Sequence, residues 1–350
     1  MIIQHKNPQG QIQATIQIEK LKTGKQSIKV SAVNTQNNLH NLFIPYAHWE
    51  TNYSPQLIKE ILDIKGPAYL CDEIMRDECP EYLEKSLTYS ILSYVEKQAF
   101  ANKRILDFGC GAGASTMILN RMFSDLDNVK IVGVELEEKF IKLAQSRAKH
   151  HNYDNITFLR SPDSNSLPEN LGTFDYVILS AVFEHLLPKE RKQLFPKIWG
   201  LLNPGGILFL NRTPYRYFPI ETHTTGLPFI NYLPDKLVRF CAHKLSKRNL
   251  KNDTWDMLLR KGIRGASIRE ITHILQHATN KQSKPIFRPI FLQPNKLGLK
   301  DRVDLWHHET NTTKHKRIKN IIFLLLKALK ITTGTTLVPN LSLAIKKSKA

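Results

Sequence analysis

One stretch limits what this chain can fold into more than any other. Arg104 to Ala114 reads Arg-Ile-Leu-Asp-Phe-Gly-Cys-Gly-Ala-Gly-Ala. Ile105, Leu106 and Phe108 have the make-up of a buried strand end. Gly109, Gly111 and Gly113 follow at alternate positions, and Ser115 to Met122 reads as a helix start. Glycine serves where the backbone takes a positive φ or passes close to a ligand. A strand that turns through glycines into a helix N-terminus puts free backbone N–H groups beside a nucleotide. Taken alone, Gly109-x-Gly111-x-x-Ala114 matches the dinucleotide fingerprint. The rest of the chain has to choose the cofactor.

Composition narrows the class of partner. The net charge is +19, from 50 Lys+Arg against 31 Asp+Glu. That balance favours anionic partners, whether membrane surface, nucleic acid or phosphorylated substrate, without choosing among them. With 41% hydrophobic and 23% charged residues the chain is an ordinary globular one. Cys71, Cys79, Cys110 and Cys241 form no CxxC pair, which suggests a reducing compartment rather than a disulfide framework. Met1 to Gly10 has no apolar core of a secretory signal, and no apolar run approaches the ~20 residues of a membrane span.

From the N-terminus, Ile12, Ala14, Ile16 and Ile18, then Ile28, Val30 and Ala32, recur with period two. They predict a small sheet or hairpin with turns at Thr23-Gly24 and near Asn34 to Asn38. From Pro55 the period changes. Leu57, Ile58, Ile61 and Leu62 suit a helix, and Tyr82 to Phe100 a longer one. Tyr89, Leu92, Val95 and Phe100 are expected to cover the sheet or the cofactor pocket. After the glycine turn, strands at Lys130–Glu135, Ile156–Arg160, Phe174–Ser180 and Ile207–Asn211 alternate with helices at Lys139–Lys149 and Glu190–Leu202. That alternation means a parallel sheet with right-handed crossovers.

Motif by motif, residues 103–211 resemble the core of the class I S-adenosylmethionine-dependent methyltransferases. Leu106-Asp107-Phe108-Gly109-Cys110-Gly111-Ala112-Gly113 follows the first motif of that family. Glu135 ends the second strand, where an acid would hold ribose hydroxyls. Ser161-Pro162-Asp163-Ser164 follows the third strand, where the family places an acid against the adenine amino group. Phe174-Asp175-Tyr176-Val177 opens the fourth strand, and Leu202-Asn203-Pro204-Gly205-Gly206 turns into the fifth. The resemblance implies S-adenosylmethionine as cofactor, held by Asp107, Gly109, Gly111, Gly113, Glu135, Asp163, Ser164 and Ser180. A nicotinamide enzyme would use the glycines, Ala114 and Glu135 equally well, but not Asp107, Asp163 or the Pro-Gly-Gly turn.

Beyond Asn211 the chain leaves the shared core. Arg212 to Arg260, rich in aromatics, Pro, His and Lys, reads as an inserted lid. The core resumes at a helix with Ser267 as N-cap and Glu270 at the capping-box position. Pro285 to Leu292 and Pro339 to Lys346 read as the sixth and seventh strands, an antiparallel edge pair in the family, separated here by a long insertion. That insertion carries Lys314 to Lys319 and Ile321 to Leu326. On a helix, Lys316, Lys319, Asn320, Lys327 and Lys330 share one side, interrupted by Phe323. It reads either as a surface helix packed on the domain or as a basic amphipathic helix on an anionic membrane.

Methyl transfer is an in-line displacement, so the protein must position an acceptor and make it nucleophilic. A general base adds ~10²–10⁴-fold. Candidate bases are Glu184 and His185, just past the fourth strand, and His223, in a group with Tyr215, Arg216, Glu221, Thr224 and Thr225 after the fifth. Histidine titrates near neutrality and could take a hydroxyl proton. Many small-molecule methyltransferases carry a similar Glu-His pair, and in some of them nearby carboxylates and histidines hold a metal. Here the position three before Glu184 is Ala181, so that set is incomplete and no metal is expected. Ser180-Ala181-Val182-Phe183 is not the Asn/Asp-Pro-Pro-Tyr/Phe of base-amine methyltransferases, and no cysteine has the setting of a base-carbon nucleophile.

The expected fold is α/β, a Rossmann-like seven-stranded methyltransferase sheet, mostly parallel, with helices on both faces. Residues 1–100 form an N-terminal extension, 101–211 the cofactor-binding core and 212–264 a lid. Residues 265–350 complete the core around a basic amphipathic helix. The expected activity is methyl transfer to a small-molecule, sugar or glycolipid acceptor, on oxygen. The rivals are a nucleic-acid methyltransferase, disfavoured by its motifs, and a catalytically silent cofactor- or membrane-binding protein. The expected location is the cytoplasm, with peripheral contact at the inner, anionic membrane face.

Overall fold

The computed structural model describes residues 1–6, 10–32, 44, 46–280, 288–310 and 316–349, the side chains of 277–280 excepted. The period-two pattern at the start becomes an antiparallel sheet, β1 (Ile2–Lys6), β2 (Ile12–Lys20), β3 (Gln26–Ala32) and β4 (His48–Thr51), paired in that order. Ala14, Ile16, Ile18, Ile28 and Val30 all point inward. The Thr23-Gly24 turn forms as expected, with Gly24 N donating to Leu21 O at 3.0 Å, whereas Asn34 to Asn38 lie outside the described residues. Two helices cover the sheet, α1 (Pro55–Lys65) and α2 (Leu70–Glu78). The Ser54 hydroxyl caps α1 by accepting from Leu57 N at 3.2 Å, and Leu57, Ile58, Ile61 and Leu62 are its buried stripe.

The central layer follows: α3 (Glu81–Leu92), β5 (Arg104–Phe108), α4 (Ala114–Met122), β6 (Lys130–Glu135), α5 (Glu138–His150), β7 (Ile156–Arg160), β8 (Phe174–Ser180), α6 (Pro188–Gly200) and β9 (Leu202–Pro214). Then come α7 (Asp235–Lys244), α8 (Trp255–Arg260), α9 (Ile268–Asn280), β10 (Pro289–Phe291), α10 (Arg302–Thr310), α11 (Lys316–Thr333) and β11 (Asn340–Lys347). The large sheet has the order β10-β11-β9-β8-β5-β6-β7. Its β9, β8, β5, β6 and β7 are parallel, and β11 runs antiparallel to both β9 and β10. This is the seven-stranded, mostly parallel α/β sheet that the motifs imply. The edge pair forms across its insertion, although β10 is shorter than expected and 285–287 lie outside the described residues.

Tertiary contacts overrule local pattern at several places. The helix expected over Tyr82 to Phe100 stops at Leu92, and Lys97–Phe100 is a separate 3-10 turn. The Ser93 carbonyl accepts from Lys296 N at 3.0 Å and the Tyr94 hydroxyl donates to Ser342 O at 2.7 Å. The chain is thereby drawn onto the sheet, where Phe100 stacks between Phe123 and Tyr176 at 4.2 and 4.0 Å. The fifth strand begins at Leu202, because the Pro-Gly-Gly turn is a bulge. Pairing jumps there from Phe174 with Leu202 to Tyr176 with Ile207. Ser267 does cap α9, at 3.1 Å from Glu270 N, but the Glu270 carboxylate bonds Arg191 at 3.0 Å instead of closing a capping box.

The basic residues of α11 do not share an outer face. Lys327 lies 2.8 Å from Asp301 and 2.6 Å from Asp304, Lys330 lies 2.6 Å from Asp301, and Lys319 donates to Thr310 O at 2.5 Å. Asp301, held down to about 2 against the cost of its burial by these two lysines, anchors the helix to α10. The outer face instead shows Ile318, Ile321, Leu324, Leu325 and Ile331, each more than half exposed. No helix among the described residues is long and apolar enough to cross a membrane.

One contact joins the two sheets through the glycine turn. Arg147 of α5 is fully buried, donates to Ala112 O at 2.8 Å, and reaches Glu73 of α2 through its carbonyl at 3.2 Å and its carboxylate at 3.1 Å. Beside it, buried Asp77 takes hydrogen bonds from Tyr53, His151 and Arg121.

Candidate active site

The glycine turn sits at the C-terminal ends of the parallel strands, the edge where open α/β sheets bind ligands. Gly109, Gly111 and Gly113 take φ of 73°, 54° and 87°. A Cβ on Gly109 would strike Val182 at 2.7 Å, whereas one on Gly111 would stand in open space. The first glycine is therefore required by packing, and the second leaves clear room above the turn. Asp107 lies beneath rather than in the opening. It is buried, and its Oδ2 accepts from Ser115 at 2.7 Å and Thr116 at 2.6 Å, which fastens the start of α4 to the strand. Burial raises its pKa to about 6 in spite of those hydroxyls.

Glu135 closes the turn from the side. Its Oε2 accepts from Gly111 N at 2.9 Å, and its Oε1 accepts from Leu136 N and Glu137 N at 2.7 and 3.2 Å. Asp163 stands exposed at the opposite rim, with Oδ1 accepting from Asn165 N at 2.7 Å and Oδ2 from the Ser166 hydroxyl at 3.0 Å. Those bonds hold its carboxyl below the usual range. Between them lies a cavity of about 280 Å³, whose walls include Phe108, Gly109, Glu135, Asp163, Ser164 and His185. Ser180 is not in its lining, which passes through Ala181 and Val182 instead. The Ser180 hydroxyl accepts from the Asn211 amide at 3.1 Å, so it serves the sheet. A wider cavity of about 610 Å³ opens away from the glycine turn, among Asn120, Asn128 and Asn155.

His185 and Arg260 line the far end of the smaller cavity, and behind them meet residues distant in sequence. Phe183–His185 forms a short 3-10 turn past β8, placing Glu184 and His185 together. Glu184 is fully buried, with Oε2 accepting from the Thr213 hydroxyl at 3.1 Å and Oε1 without a hydrogen-bond partner among the described residues. Burial raises its pKa, against the opposing pull of His185. Nδ1 of His185 lies 2.7 Å from Arg260 O. His223 arrives from the loop after β9, its ring 5.5 Å from that of His185. The Glu221 carboxylate sets that loop by accepting from the backbone N–H of His223, Thr224 and Thr225 at 2.9, 2.8 and 2.6 Å. His223 is open to solvent on one side, and desolvation on the other, with His185 nearby, lowers its pKa.

The three expected catalytic residues thus converge, while Tyr215 and Arg216 serve the lid root, bonding Pro339 O and Ala266 O through their N–H groups at 3.0 and 2.9 Å. The sequence reading missed Thr213, Gly262, Arg260 and Arg191. Arg191 bonds the carbonyls of Glu184, Leu186 and Gly265 at 3.1, 2.9 and 2.8 Å, so it holds the Glu-His turn against α9. A signal for it existed, since an arginine in an otherwise apolar helix stripe demands partners.

Comparisons with known proteins concern the same segment of the chain. Residues 105–206 match the family model described as a methyltransferase domain. The curated relatives include carboxy-S-adenosyl-L-methionine synthase of Shewanella baltica, 26% identical over 156 residues, which are 44% of this chain and 62% of that protein. They also include protein-L-isoaspartate O-methyltransferase of Rhodopseudomonas palustris, 32% identical over 120 residues, 34% of this chain and 49% of that protein. The chain therefore spans less than two thirds of the length of these relatives. Among solved structures, a plantazolicin methyltransferase complexed with a desmethyl-plantazolicin analogue and S-adenosylhomocysteine aligns at 15% identity and TM-score 0.45, over 84% of this chain and 96% of that one.

Proposed function

We propose that this chain, whose residues 105–206 match a methyltransferase domain, is a class I S-adenosylmethionine-dependent methyltransferase acting on oxygen of a small-molecule, sugar or glycolipid acceptor. The observation that carries the reading is one cavity shared by the glycine turn, Glu135 and Asp163 on one side and His185 on the other. The residues fit the cofactor: the turn leaves open space at Gly111, Glu135 stands where ribose hydroxyls would be held, and Asp163 offers an exposed carboxylate for an adenine amine. When bound, the cofactor supplies a methyl group already activated as a sulfonium.

The protein's own part is orientation and proton removal. Positioning an acceptor supplies several kcal/mol. Neutral imidazole is the basic form, and the surroundings of His223 favour it at neutral pH. His223 and His185 are the bases, and buried Glu184 holds the two rings' neighbourhood fixed through Thr213. The lid after β9 brings the His223 ring to 5.5 Å from that of His185, which lines the opening. S-adenosylhomocysteine should raise the melting temperature by mass action, and NADH should not. Labelled methyl groups from S-adenosylmethionine should enter the polar or lipid fraction of a cell extract. Label confined to nucleic acid would replace this acceptor class.

A second reading concerns the membrane. The outward Ile318, Ile321, Leu324, Leu325 and Ile331 of α11, with Lys316 and Arg317 at its start and +19 overall, favour an anionic bilayer as the surface they meet. The support has moved from the lysines to the apolar stripe. Leu324→Glu with Leu325→Glu should release the protein from anionic vesicles and leave cofactor binding unchanged. A wild type that does not sediment with such vesicles at low salt would end the reading.

A further inference from the structure

Glu184, His185 and His223 do more than flank a cavity. Each offers one ligand atom, and the three atoms lie within 4.8 Å of one another. We propose that they form a site for one divalent first-row transition ion, with positions left open toward the cavity.

Four observations carry the assignment. First, Glu184 is fully buried and its Oε1 has no hydrogen-bond partner among the described residues. A buried carboxylate oxygen left unsatisfied is costly unless something joins it. Second, the tautomer of His185 is fixed. A carbonyl only accepts, so the 2.7 Å contact to Arg260 O places the proton on Nδ1 and leaves the Nε2 lone pair free. A histidine whose second nitrogen donates to a backbone carbonyl is the usual support of a metal ligand. Third, His223 is carried on a loop pinned by Glu221 and by Arg248, which donates to the His223 and Thr222 carbonyls. Fourth, the space is kept by glycine. A Cβ on Gly262, whose φ is +85°, would stand 2.8 Å from His223 Cδ2 and 3.3 Å from Glu184 Cγ. A bound ion would draw the donors to metal-bond lengths of about 2.0–2.2 Å.

Two imidazoles and one carboxylate suit zinc, iron, cobalt, nickel or manganese better than magnesium or calcium, which favour all-oxygen sets. With the ion bound, His185 and His223 would be ligands rather than bases: the ion would seat an acceptor hydroxyl beside the cofactor turn and lower its pKa, the proton passing to solvent. Without the ion the two imidazoles keep the role of base. Only this use rests on the methyl-transfer reading; the binding itself is independent of it. Ala181 is consistent with the site, since His223 supplies from the lid a donor that the strand end lacks.

The test uses tag-free full-length protein stripped with chelator and then titrated with Co²⁺, Zn²⁺ or Mn²⁺ singly. One equivalent should bind by calorimetry. Co²⁺ should develop visible absorption, and pulsed electron paramagnetic resonance on the Mn²⁺ form should show imidazole nitrogen coupling. Glu184→Gln and His223→Ala should each weaken binding at least 10-fold, with melting curves reporting that the variants fold. His223→Cys, which keeps a donor, should restore Co²⁺ binding with a sulfur charge-transfer band, a result no general loss of structure mimics. Absence of stoichiometric binding in the wild type, or equal binding in the double variant Glu184→Gln/His223→Ala, overturns the site. If Co²⁺ binds with nitrogen coupling while S-adenosylhomocysteine does not bind, the metal site stands and the methyltransferase reading falls.

Discussion

The two sides of the cavity are made differently. The cofactor side is contiguous: strand, glycine turn and helix follow within a dozen residues, and its carboxylates bond groups close by in the chain, with Asp107 Oδ1 left without a partner among the described residues. Glu135 accepts three backbone N–H groups and Asp107 two hydroxyls. The acceptor side is assembled from β8, β9, the lid and the end of α8, with donors brought together from distant parts of the chain; Glu184 Oε1 there also has no partner among the described residues. A braced backbone turn suits a ligand that never changes. An assembled side, with donors on a lid loop, can be respecified without touching the turn.

The largest test of that contrast is Arg147. Replacing it by Ala leaves buried Glu73 with Lys65, at 3.3 Å, as its remaining ion-pair partner, so the cost lies at the lower end of the about 3–5 kcal/mol for breaking a buried pair. The melting temperature should fall accordingly, and S-adenosylhomocysteine affinity should fall with it, because Ala112 O loses its donor. Unchanged affinity in a folded variant would mean that the turn is braced locally.

Next is Asp107, whose folded-state pKa of about 6 lies above its ordinary carboxyl value. The folded protein then keeps a proton that the unfolded chain gives up. Stability from this group is full below about pH 4 and is lost as pH rises to about 6, by up to about 3 kcal/mol. Asp107→Asn should flatten that part of a stability–pH curve. An identical slope in the variant would place its origin elsewhere, for instance at Glu309, raised to about 8 by burial.

On the acceptor side, His223→Ala should lower turnover by ~10²-fold or more, about 2.7 kcal/mol, with cofactor affinity intact. The acid limb of the wild-type rate should fall below the histidine value of about 6.5, since its surroundings lower its pKa. If cofactor affinity falls equally, the two sides are not separable. The smallest expected effect belongs to Asp163. Asp163→Ala should weaken cofactor binding several-fold and leave turnover at saturation unchanged; a lower saturated rate would move this loop to the acceptor side.

How much could be read from the sequence follows the same division. The bounds of β6 and β8 are those of the apolar runs themselves, because strands buried on both faces carry their signal locally. The end of α3 was not legible, since it is set by Lys296, far along the chain. The orientation of α11 was not legible either. Periodicity separates a helix into faces but does not say which one packs, and Asp301 and Asp304 decide that by drawing the lysines in. Glu184, His185 and His223 stood out by residue type. Their convergence depends on Gly262 and Glu221, whose roles exist only in three dimensions.

Arg147 has a consequence for the N-terminal sheet. One guanidinium spans the carbonyl of the glycine turn and the second helix over β1–β4. Opening of that helix and loosening of the turn are therefore coupled through one side chain. A ligand that tightens the turn must slow amide exchange in β2 and β3, and fraying of that sheet must weaken the ligand by the same factor. The sheet is remote from any reacting atom, yet its exchange rates are a gauge of occupancy at the turn.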